Sequence, residues 1–192
     1  MYIAMNQLAE GDGSVLAGSP HGRRFFARMM EATGPEPNAP EPVFLDFADV
    51  QVATASFLRE TVFAYRDAVR RRRSNFYPVV ANAAEAVRDE LIVLTAASND
   101  VLLTCSLGSN GEVLAGRLVG ELDLKQRITF DLVRERGETD AAELMREHGE
   151  DEGNKVTQTA WNNRLAALAN RGLVVELSRG RTKRYRPLLQ EG

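Results

Sequence analysis

Apolar residues recur along the chain at two spacings, and the alternation between them predicts strands and helices in an α/β order. "YIAMNQL" and "SVLAG" are β-like runs around "AEGDG", whose Gly11 and Gly13 can supply the positive φ of a turn, so an opening hairpin is expected. "SPHGRRFFARMMEAT", 19 to 33, suits a helix with Ser19 as N-cap, Pro20 in the first helical position and Phe25, Phe26, Met29 and Met30 on one face. The four prolines between Gly34 and Pro42 predict a stiff surface loop. "VFLDF" then reads as a strand and "SFLRETVFAYRDAVRRRR" as a helix from about Ser56. "FYPVVANA" and "AAEAVRDELIVLTAAS" repeat strand and helix, and "DVLLTCSLGSNGEVLAGRLV" predicts two strands around a Ser-Asn-Gly turn.

From Leu122 the pattern changes to short capped helices. "LDLKQRITFDLVRERG" has Asp123 and Gln126 at capping-box spacing, Ile128, Leu132 and Val133 in an apolar stripe, and Gly137 as a stop. A shorter helix follows with Thr139 as N-cap, then the polar insert "EDEGNK", then a third helix from Thr157 to about Arg171, stopped by Gly172. "LVVELSRGRTKRYRPL" closes the chain as two β-like runs around "SRGRT". The expected organisation is an α/β domain over 1–120 and a small, mainly α domain over 121–192, in which three helices precede a β-hairpin.

Composition excludes more than it assigns. In 192 residues, 44% are hydrophobic and 27% charged, and no apolar run has the length of a membrane span. The first residues carry no export signal, so a cytoplasmic protein without a membrane partner is expected. Cys105, the only cysteine, lies in the apolar run "VLLTCSL" and reads as a buried thiol. His21 and His148 have no partner at metal-ligand spacing, and neither a phosphate-cradling loop nor a nucleophile elbow occurs. No enzyme activity, cofactor or metal is therefore expected.

Charge changes the picture at the end of the chain. The protein has a net charge of −3, yet between Gly153 and Gln190 eight Lys or Arg stand against one acid, Glu176. Residues 121 to 152 carry the opposite excess, eleven acids against five bases. On a helical projection of the third helix, Trp161, Leu165 and Leu168 share one face, while Thr159, Asn163, Ala166 and Ala167 share the other. Small and amide side chains suit a helix entering a major groove, and a basic hairpin suits phosphates. The candidate DNA contacts are Thr157, Thr159, Asn162, Asn163 and Arg164 on the helix, with Arg179, Arg181, Lys183, Arg184 and Arg186 on the hairpin around Gly180. "TAWNNRLAALANRGLV" with the hairpin resembles the end of many bacterial winged helix-turn-helix regulators, over roughly the last 70 residues. That resemblance implies double-stranded DNA as the partner. The run "RRRR" at 70 to 73 fits a helix C-terminus, where cations complement the macrodipole, and an added phosphate contact is the lesser reading.

"PVFLDFADVQVATASFLRETV" resembles the strand and helix start of STAS domains, the fold of bacterial anti-sigma-factor antagonists, and more closely their STAS-like relatives. The resemblance rests on Leu45, Asp46, Val50, Ser56 and the helix after them. It implies a sheet with helices against it and a protein partner, either a separate kinase or an anti-sigma-like ATPase. Ser56 falls on the serine that is phosphorylated in the antagonists, while Thr54, Ala55 and Phe57 stand where that turn has Asp, Ser and Gly. With this altered turn the favoured reading is that Ser56 caps the helix; the other is a phosphorylated partner switch.

Two functions follow. The first is a DNA-binding regulator whose STAS-like domain receives a signal through a partner protein; the alternative is a protein-interaction switch in which the winged helix docks a protein and not DNA. A homodimer is left open in either case.

Overall fold

The computed structural model describes residues 1–9, 13–151, 154–179 and 182–189, and they form two compact units, 1–121 and 122–188. Its architecture is mixed α/β with a mixed sheet. Among the described residues no helix is long and apolar enough to cross a membrane.

The first unit runs β1 (Tyr2–Ala4), β2 (Val15–Leu16), α1 (Ser19–Ala32), β3 (Glu41–Asp46), β4 (Val52–Ala53) and α2 (Ala55–Leu58). A π-helical turn, Arg59–Phe63, carries α2 into α3 (Ala64–Arg71), and β5 (Phe76–Ala81), α4 (Glu85–Ser98), β6 (Val101–Leu107) and β7 (Val113–Gly120) follow. Five strands lie in the order β1-β3-β5-β6-β7, all neighbours parallel except β6 and β7. Every residue of β5 is buried, as a central parallel strand covered on both faces requires. Phe25 and Met29 of α1, Phe57 and Leu58 of α2, and Val87 and Leu91 of α4 share one core with Val43, Leu45 and Val80 of the sheet.

The opening hairpin does not form. β1 pairs in parallel with β3, where the Met5 N–H donates to the Asp46 carbonyl at 2.8 Å, and β2 pairs in parallel with β4. Parallel pairing buries Ile3 and Met5 together in the core, which a two-stranded surface hairpin cannot do. Gly11 lies outside the described residues; Gly13 does take a positive φ, 70°. Strand β3 begins at Glu41, inside the expected loop. That loop is held by Glu36, whose carboxylate accepts hydrogen bonds from the Ser74 hydroxyl and the Asn75 N–H.

Helix starts shift by one or two residues from the sequence expectation. Gly18, not Ser19, is the N-cap of α1, and Thr54, not Ser56, caps α2, accepting from the Phe57 N–H. Within the π-helical turn Thr61 donates to the Phe57 carbonyl at 2.8 Å, and α1 packs against this region at Gly22, where a Cβ would lie 2.8 Å from that of Glu60. At the end of α3, Arg70 lies over the Tyr77 ring at 3.9 Å and donates to the Ser74 carbonyl, while Arg71, Arg72 and Arg73 are exposed.

The second unit runs α5 (Leu124–Arg136), α6 (Ala141–His148), β8 (Glu150–Asp151), β9 (Asn154–Lys155), α7 (Gln158–Asn170), β10 (Val174–Arg179) and β11 (Thr182–Pro187). β10 and β11 are antiparallel, and the Thr139 and Tyr185 backbones exchange hydrogen bonds of 2.9 and 2.8 Å, so the α5–α6 connection flanks β11. Phe130, Val133, Leu144, Trp161, Leu165, Leu168, Val174 and Tyr185 are buried. In α5 the burial centres on Thr129, Phe130 and Val133, with Ile128 and Leu132 only half-buried.

Asp123 caps α5 through the Gln126 N–H, but the Gln126 side chain accepts from Arg171 at 3.0 Å, so half of the expected box is made. At α6 the cap is Asp140, not Thr139. Thr139 is committed to the bridge with Tyr185, and Asp140 makes the complete capping box with Glu143. The polar insert contributes the short β8–β9 pairing.

Candidate nucleic-acid interface

Helix α7 is the element on which the candidate interface depends. Thr157 accepts from the Ala160 N–H at 3.2 Å and so starts the helix; its hydroxyl has a structural task. Trp161, Leu165 and Leu168 face the core, which turns Thr159, Asn162 and Asn163 outward, all three exposed. Asn170, seven residues beyond Asn163, is exposed on the same face and was not singled out from the sequence, although the i, i+7 spacing carries the signal. The side-chain amides of Asn162, Asn163 and Asn170 have no hydrogen-bond partner among the described residues. Amides left open in this way can offer a donor and an acceptor to a ligand.

Asn162 and Asn163, but not Asn170, border a groove of about 670 Å³ whose walls also include Ala166 of α7, Asp140 before α6, and Lys183 and Tyr185 of β11. The half-buried Ala166 leaves the middle of the α7 wall low. Arg164 does not join this face: it is half-buried and lies over the Trp161 ring at 4.8 Å.

The hairpin cations divide. The Arg179 side chain, Gly180 and Arg181 lie outside the described residues. Lys183 is half exposed and pairs with Glu176 at 2.8 Å. Arg184, a candidate contact from the sequence, is engaged within the protein. Its guanidinium donates to Glu138, to Asp140 at 3.2 Å, and to both carboxylate oxygens of Glu143 at 3.0 and 3.2 Å. Hydrogen bonds from Arg184, ahead of the opposing effect of burial, hold the Glu143 carboxyl below its usual range. Arg186 is half-buried, with its Nε buried and unpartnered among the described residues. The sequence missed this cluster because a charge count sums cations without showing that three carboxylates from another segment meet one of them.

Ser56 sits in the first turn of α2, its Oγ 3.2 Å from the Thr54 Oγ1. Two exposed valines, Val15 and Val52, are paired across β2 and β4 just before it. Cys105 is buried, and burial, with the Asp46 carboxylate second, pushes its thiol up to about 12, so it carries no nucleophilic chemistry at neutral pH. No protein-family model matches the chain, and no curated protein matches it.

Proposed function

We propose that residues 122–188 are a winged helix-turn-helix that binds double-stranded DNA through α7, and that residues 1–121 are a STAS-like domain that receives a signal from a partner protein. The observation that carries the reading is the outer face of α7, an exposed row of Thr and Asn side chains with no partner among the described residues, beside an antiparallel hairpin. The order of three helices and a hairpin, with the α5–α6 connection bridged to β11, supports it. The parallel β1-β3-β5-β6 order and a helix that starts at Ala55, with Ser56 in its first turn, support the STAS-like half. The protein acts in the cytosol as a regulator and not as an enzyme.

One observation favours a second reading, in which the same face docks a protein. Arg184 is matched by three carboxylates and Lys183 by Glu176, so the described flank of the groove lacks a strong positive field. Titration of labelled duplexes by fluorescence anisotropy over a salt series separates the two. DNA binding weakens steeply as salt rises, because released counterions must return, whereas a partly apolar protein interface responds less. Failure to bind any duplex at low salt rejects the DNA reading.

A further inference from the structure

The outer face of α7 carries Thr159, Asn162, Asn163, Ala166 and Asn170 and no cation. Of the described cations near it, Arg164 lies on Trp161, Arg171 on Gln126, Lys183 on Glu176 and Arg184 on its carboxylates, while the exposed Lys155 precedes the helix and is not part of this face. Guanine in a major groove presents two acceptors, N7 and O6, and is read by the two donors of Arg or by Lys. An Asn amide has one donor edge and one acceptor edge, which match the N7 acceptor and the N6–H donor of adenine. The methyl groups of Thr159 and Ala166 are the chemistry that meets the thymine C5-methyl.

We infer that this face selects A·T over G·C base pairs in the major groove, with Asn162 and Asn163 as its adenine-reading residues. The inference rests on the DNA-binding reading and adds base identity to it. Both amides border the groove between α7 and β11, so both are presented on the side from which a duplex would approach. Asp140 on the opposite wall is already engaged, with Arg184 and with the N–H groups of Ala142 and Glu143.

The test starts from selection by the full chain on a pool of randomised duplexes about 20 base pairs long, at low salt. The selected duplex is then compared with the same duplex carrying 7-deazaadenine, which keeps Watson–Crick pairing and lacks the N7 acceptor. A·T pairs should be enriched, and the 7-deaza duplex should bind the wild type about tenfold more weakly. A variant carrying Asn162→Ala and Asn163→Ala should bind both duplexes alike while keeping its affinity for the random pool. A G·C consensus, or no consensus, overturns the inference and leaves DNA binding intact. So does an A·T preference unaffected by 7-deazaadenine, which would come from groove shape. Absence of binding to every duplex removes both.

Discussion

Arg184 of β11 and Glu143 of α6 meet fork to fork, with 3.0 Å between Nη1 and Oε1 and 3.2 Å between Nη2 and Oε2. The same Glu143 accepts from the Asp140 N–H in the capping box, so one carboxylate both starts α6 and ties the hairpin to it. Replacing Arg184 by Ala leaves Glu138, Asp140 and Glu143 facing one another without a cation.

Arg184→Ala is therefore expected to destabilise the second unit by about 1 to 2 kcal/mol, measured by urea denaturation near neutral pH. The acid limb carries a further sign. Glu143 has a folded pKa below its unfolded value, so its contribution is present above the ordinary carboxylate value and is lost as pH falls through the depressed one. The gap in stability between wild type and variant should close on acidification over that interval. A gap that is constant with pH would show that the ionisation of Glu143 plays no part in it.

Thr54 and Ser56 separate capping from signalling. Thr54 Oγ1 accepts from the Phe57 N–H at 3.4 Å and from the Gly18 N–H at 3.2 Å, so it serves both the helix start and the β2–α1 connection. Thr54→Ala should cost about 1 kcal/mol. Ser56→Ala should stay within about 0.5 kcal/mol, because the cap is elsewhere. If the first unit signals through a partner, Ser56→Asp should change which proteins co-purify without changing the thermal midpoint appreciably. Equal recovery of every partner by both Ser56 variants would end the regulatory role.

What the sequence made legible was local. The β6–β7 hairpin forms around the Ser-Asn-Gly turn, with Gly111 at a φ of 79°, and α7 buries Trp161, Leu165 and Leu168 on one stripe because the helical period alone sets that face. What failed depended on partners distant in the chain. The Tyr2–Ala4 run looks the same whether it folds on a neighbour or pairs with Phe44–Asp46 some forty residues away. Thr139 lost the capping role to Asp140 because its backbone is bridged to Tyr185. In the candidate site, α7 is readable by periodicity, whereas the partners of Arg184 are not, because its carboxylates belong to an acidic segment that a charge count places in opposition to the tail.

Gly22 marks a close approach of α1 to the segment around the π-helical turn. An added Cβ would lie 2.8 Å from the Glu60 Cβ and 3.2 Å from the Phe57 carbonyl oxygen, and the latter is backbone that cannot rotate away. Ala gains about 1 kcal/mol over Gly in a helix interior, which offsets part of the strain. The overpacking cost of about 1 to 3 kcal/mol should prevail, so Gly22→Ala is expected to lower stability. Gly34→Ala, where no described atom lies within 4 Å, is the control. A stabilised Gly22→Ala would mean that helix propensity outweighs the contact.

Lys183 is the hairpin cation on which the phosphate reading can be tested within the described residues. Its pair with Glu176 is half exposed, and such pairs are worth little in water, so Lys183 can exchange Glu176 for a phosphate at small cost. Lys183→Ala should weaken binding to all duplexes alike and make the dependence of log affinity on log salt shallower by about one unit. Glu176→Gln should do the opposite for affinity. It removes the competing carboxylate while keeping an acceptor for the Tyr185 hydroxyl, which lies 3.3 Å from Oε2. Anisotropy titrations of both variants on random duplexes at several salt concentrations give slope and intercept together. If Lys183→Ala leaves the slope unchanged and Glu176→Gln leaves the affinity unchanged, the phosphate contacts lie elsewhere on the protein, and the sequence candidates Arg179 and Arg181 become the next substitutions to measure.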